Sequence, residues 1–84
     1  MRREKLWVLY AEEPSRAREQ LVGGLLRKGL RADKADSLKE LTDALLLSNF
    51  DAIVLDPKLP GGDALRWIAA RRRRGDLTPI LLLV

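Results

Sequence analysis

The chain has 84 residues, with 16 lysines and arginines against 12 aspartates and glutamates for a formal net charge of +4, and it contains neither cysteine nor histidine. That length allows one domain, at the small end of what a single hydrophobic core stabilises. The missing residue types exclude a disulfide framework, a thiolate zinc site and a histidine base or ligand, so any metal here is held by oxygen.

The start, Met1-Arg2-Arg3-Glu4-Lys5, is positive like the head of a secretory leader, but the apolar stretch from Leu6 to Ala11 is too short and runs straight into Glu12-Glu13. No stretch approaches the roughly 20 apolar residues of a membrane span, so a cytoplasmic protein without a membrane role is expected. Leu6-Trp7-Val8-Leu9-Tyr10-Ala11 is a continuous run of apolar β-formers, the pattern of a strand buried on both faces of a parallel sheet. Pro14-Ser15 punctuates the chain. Ala17, Leu21, Gly24, Leu25 and Lys28 then recur at helical spacing, with Val22 and Leu26 widening the apolar face until Gly29 closes the helix. Gly23-Gly24 fall inside this helix, where they allow close packing or loosen it. Leu30 to Ala35 mixes polar residues into a weaker strand suited to a sheet edge.

Ser37-Leu38-Lys39-Glu40 is a capping box for a second helix, with Leu38, Leu41 and Leu45 on its buried face. Asp51-Ala52-Ile53-Val54-Leu55-Asp56 is an apolar strand that ends abruptly on an acid and on Pro57. Lys58-Leu59-Pro60-Gly61-Gly62 is rich in turn residues, and Asp63 can cap a third helix with Leu65, Ile68 and Ala69 facing inward. Arg71 to Arg74 and Gly75 end that helix. Thr78-Pro79 leads into Ile80-Leu81-Leu82-Leu83-Val84, a buried-type strand.

The order β-α-β-α-β-α-β, with right-handed crossovers, predicts an α/β domain over residues 1–84 whose parallel sheet carries helices on both faces. Sites in such sheets lie beyond the carboxyl ends of the strands, which brings Glu12-Glu13 and Asp56 to one edge if their strands are neighbours. Carboxylates converging without histidine or cysteine suit magnesium, which takes a few carboxylates and keeps several waters. An aspartate beside such an ion can attack phosphorus and form an acyl phosphate, and Asp56 is best placed for it. The plainer alternative is that these acids only favour nearby helix N-termini. The basic excess gathers at Arg2-Arg3 and Arg71 to Arg74. A nucleic-acid surface on the second cluster competes with a solvated helix end, and the absence of interleaved aromatics favours the latter. Trp7 and Trp67, on different elements, read as packing groups rather than a base-stacking platform.

Asp51 to Leu65, an apolar strand ending in an aspartate followed by Leu59-Pro60-Gly61 and an acidic turn, resembles the signature of response-regulator receiver domains. Leu6 to Arg18 resembles that family's opening strand and acidic pair, Ala35 to Leu45 its second strand end and helix, and Thr78-Pro79-Ile80-Leu81-Leu82 its fourth strand. The resemblance implies a flavodoxin-like doubly wound parallel sheet of strand order 2-1-3-4-5, here truncated after the fourth strand. It also implies that Asp56 accepts a phosphoryl group from a histidine kinase or phosphotransfer protein. Mg2+ would be held by Glu12, Glu13, Asp56 and the backbone carbonyl of Lys58, and an output domain would be encoded downstream. A second register pairs Ala11 with Glu12 and loses one ligand. Glutamates replace the family's usual aspartates, and Pro57 is an unusual neighbour for the acceptor. The family's switch hydroxyl and phosphate-pairing lysine would fall beyond Val84, which suggests a truncated product. A degenerate receiver, acting as a phosphorylation-independent interaction or dimerisation module, is the alternative function. An uncovered fourth strand also predicts a homo-oligomer formed through that edge.

Overall fold

A computed structural model describes residues 6–83. The basic start Met1 to Lys5 and Val84, expected in the last strand, lie outside the described residues. Strands and helices alternate as β1 (Trp7–Ala11), α1 (Arg16–Arg27), β2 (Arg31–Ala35), α2 (Leu38–Leu47), β3 (Ala52–Leu55), α3 (Ala64–Arg73) and β4 (Ile80–Leu82). All three strand pairings are parallel, and the sheet order is β2-β1-β3-β4. This is the first four-strand part of the order that the receiver resemblance implies.

The helix starts form where their capping residues stand. Ser15 Oγ accepts the Arg18 N–H at 3.0 Å, Ser37 Oγ accepts the Glu40 N–H at 3.1 Å, and Asp63 Oδ1 accepts the Leu65 N–H at 2.9 Å. The Glu40 carboxylate reaches back one residue further than in a regular capping box and accepts the Asp36 N–H at 2.7 Å.

Strand alternation divides the apolar side chains between two faces. Leu9, Ala11, Ile53 and Leu55 turn to one side and pack with Leu38, Leu41, Phe50, Leu59 and Ala64 in the main core. Each fully buried leucine or isoleucine there contributes roughly 1.5–3 kcal/mol. Val8, Tyr10 and the α1 residue Val22 are buried outside that cluster.

Several expectations about the helices need correction. On α1 the buried face is narrow: Val22 and Arg18 are buried, whereas Ala17, Leu21 and Leu26 are exposed, because no further element of the described chain covers the helix flanks. On α3 the inward face is rotated. Ala64 is buried and Trp67 and Ile68 are half-buried, while Leu65 and Ala69 face solvent, because the indole fills the space against α2 and donates from Nε1 to Thr42 Oγ1 at 2.9 Å. Gly23-Gly24 serve no close approach between elements. A Cβ there would meet only the flexible Arg27 side chain.

The four arginines at the end of α3 are not simply a solvated cluster. Arg71 Nε and Nη2 donate to Asp76 Oδ2 at 3.1 and 2.9 Å, and Arg72 donates to the Asp76 and Thr78 carbonyls at 2.7 and 2.9 Å. Asp76 Oδ1 also accepts the Thr78 N–H and hydroxyl at 3.0 and 2.6 Å. Two of the four cations therefore brace the loop that delivers β4, and only Arg73 and Arg74 remain exposed, which weakens the case for a nucleic-acid surface.

Candidate functional site

The site is built at the carboxyl ends of β1 and β3, which the sheet places side by side. Ala11 pairs with Leu55 as the last matched residues of the two strands, and the Asp56 N–H donates to the Ala11 carbonyl at 2.9 Å. The next residues, Glu12 and Asp56, therefore leave the sheet next to each other. On its other flank the Glu12 N–H donates to the Ala35 carbonyl of β2 at 3.2 Å. Ala11 is the last residue of the strand and fully buried, and the acids that follow it are Glu12 and Glu13.

Asp56 is half-buried and begins a tight turn. Its Oδ1 accepts the Lys58 N–H at 2.9 Å, and its carbonyl accepts the Leu59 N–H at 3.0 Å. Such an Asx turn is the local reason that the chain reverses after the strand. Pro57 costs nothing here, because the two donors that close the turn come from Lys58 and Leu59. The loop is then clipped to α2. The Leu38 N–H donates to the Pro60 carbonyl at 2.8 Å, and Gly61, at φ +110°, lets the backbone pass Leu38.

Glu12 is half-buried, with Oε1 buried and meeting no donor. Tyr10, two residues earlier and so on the same side of β1, has its hydroxyl pKa raised by burial, then by the charge and hydrogen-bonding reach of Glu12, and then by the charge of Asp56. The phenol thus stays protonated, and it registers both carboxylates as neighbours. Glu13 and Lys58 are exposed. Among the described residues no three acidic side chains lie close enough to form a ready metal cage; Glu12 and Asp56 start from neighbouring strand ends, and the Glu13 side chain is exposed.

Two carboxylates suffice for a hydrated hard cation, and an orphaned, buried carboxylate oxygen is the kind of atom such an ion satisfies. The donor set of Glu12 and Asp56 thus fits a hydrated divalent cation such as magnesium. Residue spacing does not reveal Tyr10, Arg18 or Asp36 as part of this edge. The available signal is Arg18 itself, one helical turn before the apolar Val22 and thus on the face turned inward.

No family model matches the chain. The response regulator protein PmrA of Pseudomonas aeruginosa is 37% identical over 82 residues, covering 90% of this chain and 34% of that protein. The chain therefore spans about a third of that regulator's length. The receiver domain of the Francisella response regulator 1452 superposes with a TM-score of 0.85 at 22% identity, over 93% of this chain and 64% of that one. A structure of the histidine kinase ThkA in complex with the response regulator protein TrrA matches with a TM-score of 0.81 at 25% identity, over 94% of this chain and 68% of that one. The strand order, the solved receiver folds and a regulator relative agree along the same residues, and together they support a response-regulator receiver domain.

Proposed function

We propose that this chain is the phosphoacceptor part of a two-component signalling protein, with Asp56 as the acceptor and a histidine kinase or phosphotransfer protein as the donor. The observation that carries the reading is the adjacency of Glu12 and Asp56 across the paired ends of β1 and β3, with a Glu12 oxygen buried and lacking a donor. In the transfer, an Asp56 oxygen forms the new P–O bond as the P–N bond of a phosphohistidine breaks, and the electron pair returns to the imidazole nitrogen. The Asx turn holds Asp56 Oδ1 toward the Lys58 amide, which orients the carboxylate before attack. Magnesium, when bound, offsets charge on the transferred phosphoryl oxygens. Glu12, Glu13, Asp56 and, through its carbonyl, Lys58 are the residues that would hold it.

The complex of ThkA with TrrA supports the kinase as the class of partner. The kinship with a longer regulator supports an output domain in the complete protein and a cytoplasmic setting. Among the described residues no helix is long and apolar enough to cross a membrane.

Magnesium titration of the amide NMR spectrum tests the reading directly. Saturable shifts confined to Glu12, Glu13, Asp56 and Lys58 are expected, and Asp56→Asn should abolish them. A well-dispersed spectrum that ignores magnesium overturns it in favour of a degenerate receiver used as an interaction module. The second reading has its own observation, the exposure of Glu13 and the lack of a cluster of three acids among the described residues.

A further inference from the structure

Arg18 is the charged residue that the fold buries among the described residues, at 4% exposure, and the phosphoryl transfer does not use it. An arginine taken out of water costs several kcal/mol unless its donors are satisfied, so its position reports what it holds. A single nitrogen does the holding: Arg18 Nη1 donates to the Glu12 carbonyl at 2.6 Å and to Asp36 Oδ1 at 2.5 Å. Nε lies 3.4 Å from Glu19 Oε2 without an acceptor in line. The Asp36 N–H is itself held by Glu40 Oε1, and the Arg18 N–H is held by Ser15 Oγ. The turn that carries the acidic pair is thereby tied to the turn between β2 and α2 through one guanidinium group.

We propose that Arg18 is a positioning residue for divalent-cation binding at the Glu12–Asp56 edge, fixing through the Glu12 carbonyl the direction in which the Glu12 and Glu13 carboxylates leave β1. The inference rests on the proposed acceptor role of Asp56, since it gives that site the element that aims its acids. Supporting partners around metal ligands typically set affinity by 10–100-fold. The reach of arginine matters as well as its charge, because a lysine ammonium sits on a shorter stem and falls short of the point between the Glu12 carbonyl and Asp36 that Arg18 Nη1 occupies. A purely electrostatic role predicts the opposite sign, since a nearby cation repels magnesium and its removal would tighten binding.

The test compares magnesium affinity, read from the amide shifts of Glu13 and Asp56, in the parent chain and in Arg18→Lys, Arg18→Met and Asp36→Ala. Circular dichroism and urea midpoints confirm that each variant is folded at the temperature used. Both Arg18 variants are expected to weaken binding by about 10-fold or more, and Asp36→Ala should weaken it in a way that does not add to Arg18→Met. A merely structural arginine lowers the urea midpoint and leaves the affinity of the folded protein unchanged, which overturns the proposal. So does tighter binding in Arg18→Met with parental binding in Arg18→Lys. If the Arg18 variants fail to fold, Asp36→Ala carries the comparison, and parental affinity there overturns it. A parent chain that ignores magnesium overturns this proposal together with the acceptor reading, whereas a binding parent with unaffected variants removes only the role of Arg18.

Discussion

Asp76 shows how a carboxylate far from the acidic edge is spent on architecture. Its pKa is lowered from 3.8 to about 2, first by the Thr78 hydroxyl, then by the Thr78 N–H, with Arg71 adding to the effect against the burial that opposes it. A carboxylate whose pKa is depressed on folding contributes stability that is present above its unfolded pKa and lost as pH falls toward the folded value. The loss attributable to Asp76 therefore falls between about pH 4 and pH 2. Allowing for solvent screening of a partly exposed pair, it amounts to about 1–2 kcal/mol. The unfolding free energies of Asp76→Asn and the parent chain, from urea titrations, should lie closer together at pH 2 than at pH 5 by about that amount. Equal acid sensitivity in the two proteins would show that Asp76 does not carry the effect. Tyr10 is the corresponding residue at the acidic edge. Because its hydroxyl is raised by both Glu12 and Asp56, a cation bound between those acids should lower its pKa, and ultraviolet titration of the phenol with and without magnesium should register that drop.

At the level of elements, Gly61 is the joint most sensitive to change. At φ +110°, with an added Cβ 3.2 Å from the Leu38 nitrogen, Gly61→Ala combines a strained backbone with a clash against the amide that binds Pro60. A loss of about 1–3 kcal/mol is expected in thermal or urea unfolding, and a neutral result would mean that the loop relaxes freely. The elements themselves are largely legible in the amino-acid sequence. Continuous apolar runs mark β1 and β3, and Ser37 and Asp63 mark the starts of α2 and α3, because these signals are local. The face of α3 is not legible. Alanines, a leucine and a tryptophan sit at nearby positions, and only packing against Thr42 chooses the indole over Leu65. The acidic edge is half legible for the same reason. Spacing places Asp56 at a strand end, but the Glu12 register depends on Ala11 pairing with Leu55 across the sheet.

For the whole molecule, β4 borders the sheet with its outer edge unpaired among the described strands, and Leu81 on it is 63% exposed. We expect concentration-dependent self-association through this strand, with Leu81→Lys weakening it, since charge on an edge opposes strand pairing. Sedimentation across a concentration series decides the matter, and a monomer at the highest concentration removes the expectation. The arrangement of the sheet also has a temporal side. Ribosomes deliver the strands in the order 1, 2, 3, 4, yet β1 lies between β2 and β3. The first strand made therefore finds its second neighbour only after residue 52 emerges, a wait of roughly 2–9 s at about 5–20 residues per second. During that interval one edge of an apolar strand stands open on the nascent chain, so an unpaired edge exists while the protein is being made as well as at the finished sheet's border.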